Sequence, residues 1–190
     1  MAIVLASQSP RRQELLARIG VEDFKTLSLD IDESYPEGLS PEDTVRYIAK
    51  KKCDAAAALC APDDLIITAD TMVFLSNDRL GKPRDEEDAL RMLRELAGRA
   101  HTVCTGVSVR RGAQEERFAV STRVFFRPMT DDEIRAYIKT GEPMDKAGAY
   151  GVQSRGALFV ERIDGDFFNV MGLPVEQLGL VLARFGVKLL

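Results

Sequence analysis

The chain of 190 residues contains one histidine, three cysteines and no tryptophan. The cysteines are odd in number and form no CxxC pair, so neither a disulfide framework nor a cysteine-based zinc site is expected. Because His101 is the only histidine, a Ser-His-Asp triad or a histidine-rich metal site is not expected either. Any bound metal should therefore be a hard ion held by carboxylates, such as Mg²⁺ or Mn²⁺.

Long apolar segments are also missing from the sequence. No run approaches the roughly 20 residues that a membrane-spanning helix needs, and the apolar start before Ser7 is too short for a signal peptide. The sequence therefore predicts a cytoplasmic protein that does not associate with membranes. The net charge of −4 disfavours a stable nucleic-acid partner, because nucleic-acid-binding proteins present a basic surface. The GxxxxGK[ST], GxGxxG and HExxH motifs are absent.

The order of the predicted elements favours a single α/β domain over residues 1–190. Strands and helices alternate early, and a hairpin around residues 111–113 follows, which predicts a mixed sheet. The predicted strands lie at residues 3–6, 24–30, 64–75, 101–110, 115–126 and 157–163. The predicted helices lie at residues 10–19, 41–60, 85–97, 131–139 and 174–185.

Residues 7–12 read SQSPRR and place two arginines where a helix begins. Ser9 is a good N-cap and is followed by proline, a good first helical residue. A helix N-terminus carries partial positive charge and unpaired N–H groups, so Arg11 and Arg12 each cost roughly 0.3–1 kcal/mol there. A bound anion reverses this effect, because the amides, the guanidiniums and the hydroxyls of Ser7 and Ser9 then all attract it. The alternative is that both arginines pair with surface acids.

Asp70 follows the apolar run of residues 65–69. A buried carboxylate without a partner is unfavourable, so a charge on a central strand needs a cation, a metal ion or a bound water. The alternative is an aspartate that forms a turn at the end of the strand. In open α/β sheets the carboxyl ends of strands line the ligand site, which makes Asp70 a candidate catalytic residue.

Two lysines and one loop complete the candidates. Lys52 belongs to a run of three lysines, which on a helix is usually only a solvated face. Lys82 lies between glycine and proline, where a rigid loop would suit a phosphate contact. The glycine-rich residues 145–153 permit close backbone approach, and Gln153 can donate and accept hydrogen bonds, as reading a base edge requires. A plain surface loop is the alternative.

Taken together, these segments resemble the Maf family of nucleoside triphosphate pyrophosphatases over nearly the whole chain. The matching segments are LASQSPRR at 5–12, Asp32-Glu33, Ala49 with Lys52, ITADT at 67–71, GKP at 81–83, DKAGAYGVQ at 145–153 and NVMGLP at 169–174. Each segment alone is weak evidence for the family, but all of them together, in this order, are highly specific for it.

The resemblance implies a fold, an activity and partners. The fold would be similar to that of inosine triphosphate pyrophosphatases, with a mixed sheet flanked by helices and two lobes around a deep cleft, often in a homodimer. The activity would be hydrolysis of a nucleoside triphosphate to the monophosphate and pyrophosphate with a divalent metal, for cleansing of the nucleotide pool. The substrate would be the principal partner.

The resemblance also implies roles for individual residues. Asp70 falls on the catalytic carboxylate, and Glu33 and Asp70 would hold the metal. The residues implied to bind substrate are Ser7, Ser9, Arg11, Arg12, Lys52, Thr71, Lys82, Lys146 and Gln153. Arg12 in SPRR, Thr71 and Gln153 resemble the branch that acts on dTTP and UTP. The branch that acts on 7-methyl-GTP has SPWRR, a Gln after the aspartate and a Glu in the later loop.

One other function is compatible with the same residues. Because the family is associated with septum inhibition, the chain could be a nucleotide-binding regulator of cell division. Asp70 and Glu33 favour catalysis instead, since a protein that only binds phosphates gains little from carboxylates beside them.

Overall fold

A computed structural model describes residues 2–76 and 78–190. The described elements, in chain order, are β1 (Ile3–Leu5), α1 (Pro10–Arg18), β2 (Phe24–Thr26), α2 (Pro41–Ala57), β3 (Leu65–Leu75), β4 (Asp78–Leu80), α3 (Glu86–Leu96), β5 (Ala100–Arg111), β6 (Gln114–Phe126), α4 (Asp131–Ile138), β7 (Val160–Asp164), α5 (Phe167–Met171) and α6 (Val175–Arg184). Three short 3₁₀ turns lie at Glu142–Asp145, Ala147–Ala149 and Arg155–Phe159.

The strands form one mixed sheet with the order β2-β1-β3-β5-β6-β7, and β4 pairs with β3. β1 is parallel to both β2 and β3, whereas β4 is antiparallel to β3 and β7 is antiparallel to β6. The predicted α/β fold with a mixed sheet flanked by helices is therefore confirmed.

Several predicted boundaries need correction. The second strand ends at Thr26 instead of residue 30. Residues 157–159, predicted as the start of a strand, belong to a 3₁₀ turn, and β7 begins at Val160. β4 and α5 were not predicted, because these elements of three and five residues show no apolar period of their own.

The described chain divides into two compact units. Unit 1 comprises Met1–Asp70, Thr105–Val120 and Gly172–Leu190, and unit 2 comprises Thr71–Cys104 and Ser121–Met171. Among the fully buried apolar side chains, unit 1 contributes Leu5, Leu15, Leu16, Ile48, Leu65 and Ile67, and unit 2 contributes Leu90, Leu93, Leu96, Phe126 and Ile134. No helix in the described ranges is long and apolar enough to cross a membrane.

Helix α2 lies very close to strand β5 in unit 1. A Cβ atom added to Gly106 would lie 2.3 Å from the carbonyl carbon of Val45 and 2.6 Å from the amide nitrogen of Arg46. The hydroxyl of Thr68 in β3 donates a 2.7 Å hydrogen bond to the carbonyl of Ala49. A missing side chain and a buried hydrogen bond thus fix the position of α2 on the sheet.

The core of unit 2 contains the single histidine. His101 is 3% exposed, its Nε2 lies 2.8 Å from the Tyr150 hydroxyl, and its ring meets Phe126 edge to face. Its Nδ1 is buried and has no hydrogen-bond partner in the described part of the chain. Burial lowers the pKa of His101 from 6.5 to about 4, because a charged imidazolium has poor solvation there.

This burial predicts a loss of stability in mild acid. Between pH 6.5 and 4 the unfolded chain binds a proton at His101 that the folded chain does not, so the free energy of unfolding falls as the pH falls. We expect His101 to lower the free energy of unfolding by about 3 kcal/mol below pH 4, compared with its value above pH 6.5. In urea titrations between pH 7.5 and 4.5, the free energy of unfolding should fall more steeply with falling pH for the wild type than for His101→Gln. Parallel pH profiles of the two proteins would contradict the assignment.

Candidate active site

Lys52 and Asp70 come together in unit 1 because of the elements that carry them. Lys52 lies two helical turns beyond Val45, on the face of α2 that contacts the sheet, and Asp70 lies on the same side of β3 as Thr68, which binds α2. Residues seven apart on a helix share a face, as do residues two apart on a strand. The close contact of α2 with the sheet therefore brings the Lys52 ammonium group next to the Asp70 carboxylate.

Two carboxylates share the ammonium group of Lys52. Its Nζ lies 2.7 Å from Asp70 Oδ1 and 2.9 Å from Glu33 Oε1. The Lys52 side chain is 14% exposed and that of Asp70 is 8% exposed, whereas that of Glu33 is 54% exposed. The interpretation of Lys52 as part of a solvated face is therefore wrong for this residue, although it suits Lys50, which pairs with Asp54 on the surface.

Asp70 lies in the middle of a strand, and only one of its two carboxylate oxygens accepts a hydrogen bond from a described residue. β3 continues for five residues beyond it, so the alternative of a turn-forming aspartate at a strand end is wrong. Its Oδ2 atom is buried and receives no hydrogen bond from any described residue. Buried polar atoms are normally hydrogen-bonded, and one that is not indicates catalysis or a missing water or ion.

The prediction that a helix begins within SQSPRR is confirmed, because α1 begins at Pro10. Ser9 is the N-cap of α1 with extended backbone, but its side chain caps no amide, and the first turn contains no acidic residue. The Ser9 amide instead donates to the Ser7 hydroxyl at 3.2 Å. The first turn therefore keeps both arginines and lacks the usual carboxylate that would complement the helix dipole.

Arg12 binds backbone carbonyls as well as a hydroxyl. Its Nε donates to the carbonyl of Gly172 at 2.8 Å, and its Nη1 donates to the carbonyl of Ala69 at 2.9 Å and to the hydroxyl of Ser7 at 3.3 Å. Burial lowers the pKa of Arg12, and the charge of Asp70 opposes this shift. The guanidinium thus joins α1 to the chain just before Asp70, a contact that the sequence pattern did not predict.

Glu33 is held by its neighbours in the chain. The Asp32 carboxylate accepts the amide of Ser34 at 2.9 Å, and Lys51 donates to the carbonyl of Ser34 at 3.1 Å. The Ser34 hydroxyl and amide are the leading causes that lower the pKa of Asp32. The residues on both sides of Glu33 thus take part in hydrogen bonds, while its own carboxylate contacts Lys52.

The remaining predicted site residues lie in unit 2. Thr71 follows Asp70 in β3 and is half-buried, and Lys82 and Gln153 are exposed. The loop that holds Lys82 is tied to the later loop, since the amide of Gly148 donates to the carbonyl of Gly81 at 3.0 Å. The ammonium group of Lys146 donates to the carbonyl of Glu142 at 2.7 Å and to the Asp145 carboxylate at 2.6 Å.

Glu142 connects two segments of unit 2, and no sequence pattern predicted this. The preceding glycine and the following proline mark the end of a helix, and the glutamate between them carries no motif signal of its own. Its carboxylate accepts hydrogen bonds from Tyr137 and Ser154. Only the folded chain brings these partners together, since Ser154 is twelve residues away.

The arrangement defines a class of site. A buried carboxylate, an exposed carboxylate, a shared lysine and two arginines at an uncapped helix N-terminus are suited to bind a phosphate chain and to activate water beside it. In the ranges 2–76 and 78–190, no three His, Cys, Asp or Glu side chains form a metal-binding group. A metal here would therefore also need ligands from water and phosphate, as Mg²⁺ commonly has.

Comparison with known proteins gives the family. The sequence model of the family described as Maf-like protein matches residues 2–185, and this chain belongs to the Maf family. A protein from Bacillus velezensis named dTTP/UTP pyrophosphatase is 46% identical over 186 residues, which cover 98% of this chain and 97% of that protein. A protein of the same name from Dictyoglomus turgidum is 47% identical over 191 residues, with 99% and 98% covered.

A solved structure shares the fold. A HAM1 protein from Coxiella burnetii aligns with a TM-score of 0.56 over 97% of this chain and 99% of its own, at 13% sequence identity. At this identity the likeness concerns the fold alone.

Proposed function

We propose that this chain hydrolyses dTTP and UTP to the nucleoside monophosphate and pyrophosphate. The observation that carries the proposal is the identity of 46–47%, over nearly the full length, to proteins named dTTP/UTP pyrophosphatase. The site geometry supports it, because Asp70, Lys52 and Glu33 supply the carboxylates and the cation that cleavage of a phosphoanhydride requires. Cleansing of the nucleotide pool is the role proposed in the cell.

In the proposed reaction, Asp70 accepts a proton from the attacking water. Lys52 holds Oδ1 at 2.7 Å, so the orientation of the carboxylate that accepts the proton is fixed. Lys52, Arg11 and Arg12 neutralise phosphate charge as water attacks the α phosphorus and the bond from that phosphorus to the bridging oxygen breaks, so that pyrophosphate leaves with this oxygen. The hydroxyls of Ser7 and Ser9 and the amides of α1 add hydrogen-bond donors.

A divalent metal such as Mg²⁺ or Mn²⁺ fits the chemistry of these residues. Asp70 Oδ2 is a buried oxygen without a hydrogen bond from the described residues, and Glu33 offers a second, exposed carboxylate. One or two carboxylates with substrate phosphates are a common way to hold Mg²⁺. When bound, such an ion would neutralise phosphate charge and lower the pKa of a water.

The other expected properties remain predictions. These are substrate binding by Thr71, Lys82, Lys146 and Gln153, the deep cleft, the homodimer and the cytoplasmic location. Base recognition is the proposed task of Thr71 and Gln153. No stable nucleic-acid partner is proposed.

Product analysis tests the reaction directly. With dTTP or UTP and Mg²⁺, we expect the monophosphate and pyrophosphate in equal amounts, measured by chromatography and by a pyrophosphate-specific assay. Orthophosphate in place of pyrophosphate would contradict cleavage between the α and β phosphates. Binding of dTTP without any turnover would instead favour the regulator of cell division.

A further inference from the structure

The carboxylate of Glu142 collects hydrogen bonds from the end of α4 and from the later loop. The hydroxyls of Tyr137 and Ser154 donate to Oε1 at 2.7 and 2.6 Å. The amide of Gly156 donates to Oε1 and that of Arg155 donates to Oε2, both at 3.3 Å. Burial opposes the ionisation of Glu142, but these hydrogen bonds outweigh it, and the pKa of the carboxyl lies below its usual value.

The segment 151–156 closes on itself around this carboxylate. The amide of Gly151 donates to the Tyr137 hydroxyl at 3.1 Å. A Cβ atom added to Gly156 would lie 2.5 Å from the carbonyl oxygen of Gly151 and 2.8 Å from the Tyr137 hydroxyl. Both ends of the segment therefore touch, and glycine is needed where they meet.

Gln153 lies between the anchored ends of this segment. Gly151 is fixed through Tyr137, and Ser154 is fixed by Glu142 directly. Gln153 itself is exposed. A side chain on a loop keeps a defined orientation only when the backbone on both sides of it is held, as it is here.

We propose that Glu142 is a positioning residue for base recognition, because its carboxylate holds the segment 151–156 in the form that presents Gln153 to a pyrimidine base. This inference rests on the proposed function and on the predicted role of Gln153. A carboxylate suits the task better than an amide, since every group that faces it is a donor and a carboxylate only accepts. In Glu142→Gln an amide N–H₂ would face one of these donors.

Steady-state kinetics of four proteins test the proposal. These four are the wild type, Glu142→Gln, Gln153→Ala and the double variant. A fifth protein, Glu161→Gln, changes an exposed residue of β7 and is the matched control. Loss of one charged hydrogen-bond acceptor should lower the selectivity of kcat/KM for dTTP over dGTP about tenfold, mainly through KM. When Glu142→Gln is added to the Gln153→Ala variant, the selectivity should change by less than about twofold, because the two residues act as one unit.

Hydrogen exchange separates this proposal from the proposed function. Without nucleotide, Glu142→Gln should lose protection at the amides of Gly151, Arg155 and Gly156, while Glu161→Gln should keep it. Absence of dTTP turnover by the wild type would overturn the proposed function, and hydrogen exchange would still decide whether Glu142 holds the loop. Unchanged protection, or an equal selectivity loss in the Gln153→Ala background, would overturn the positioning role.

A milder variant covers the case in which Glu142→Gln does not fold. Ser154→Ala removes one donor to the same oxygen and leaves Tyr137 in place. We expect the selectivity of kcat/KM for dTTP over dGTP to fall about threefold when Gln153 is present. It should not fall when position 153 is alanine. Unchanged selectivity in this variant, together with unchanged protection of the segment, would overturn the proposal.

Discussion

Replacing Asp70 by asparagine should abolish hydrolysis of dTTP and leave the fold intact. The amide retains the shape of the side chain but cannot accept a proton from water, so kcat should fall about 10³-fold. Lys52 keeps one ionic partner in the variant, because Glu33 remains 2.9 Å from its Nζ. The substitution thus removes the proposed base without leaving a buried ammonium group isolated.

The stability of this variant is informative as well. In the wild type, a buried carboxylate oxygen has no hydrogen bond from the described residues, which costs folding free energy. Asp70→Asn should therefore unfold at the same temperature as the wild type or slightly above it, as is common for active-site substitutions. Calorimetry and initial rates measure the two effects, with the exposed Asp63→Asn as control. Activity above a tenth of the wild type would refute the catalytic assignment.

The sequence predicted the parts of the site that follow from local patterns. SQSPRR was sufficient to place the start of α1, because a serine, a proline and the apolar period that follows all indicate the same residue. Asp70 was recognised because a charge within an apolar strand conflicts with burial. Each inference needed only a few adjacent residues.

What the sequence did not predict depends on contacts between distant segments. Three consecutive lysines look alike in the chain, yet Lys52 is directed toward Asp70 while Lys50 pairs on the surface. Arg12 binds the carbonyl of Gly172, which is 160 residues away. The contacts of Glu142 are of the same kind, since Ser154 lies twelve residues away in the chain.

Gly106 illustrates why such contacts matter for function. It carries no motif, and a glycine inside a strand is usually unfavourable. Here the absence of a side chain lets α2 approach β5, and α2 carries Lys52. The position of Lys52 therefore depends on Gly106, a residue that no sequence pattern indicates.

Replacing Gly106 by alanine should accordingly damage both stability and activity. The new Cβ would lie 2.3 Å from the Val45 carbonyl carbon and 2.4 Å from its oxygen. These are backbone atoms of a helix, so relief requires a shift of α2 itself. We expect a loss of about 3 kcal/mol in the free energy of unfolding, at the upper end of typical overpacking, and a fall of about 6 to 12 °C in Tm.

Gly179→Ala is the matched control for this prediction. Gly179 lies inside α6, and its added Cβ would meet only Leu189 at an ordinary 3.8 Å. Alanine should therefore stabilise the protein by about 0.5–1 kcal/mol. Urea unfolding and kcat/KM for dTTP, measured below the transition of each variant, separate the effects. If Gly106→Ala remained as stable and as active as Gly179→Ala, the close contact of α2 with the sheet could not be what positions Lys52.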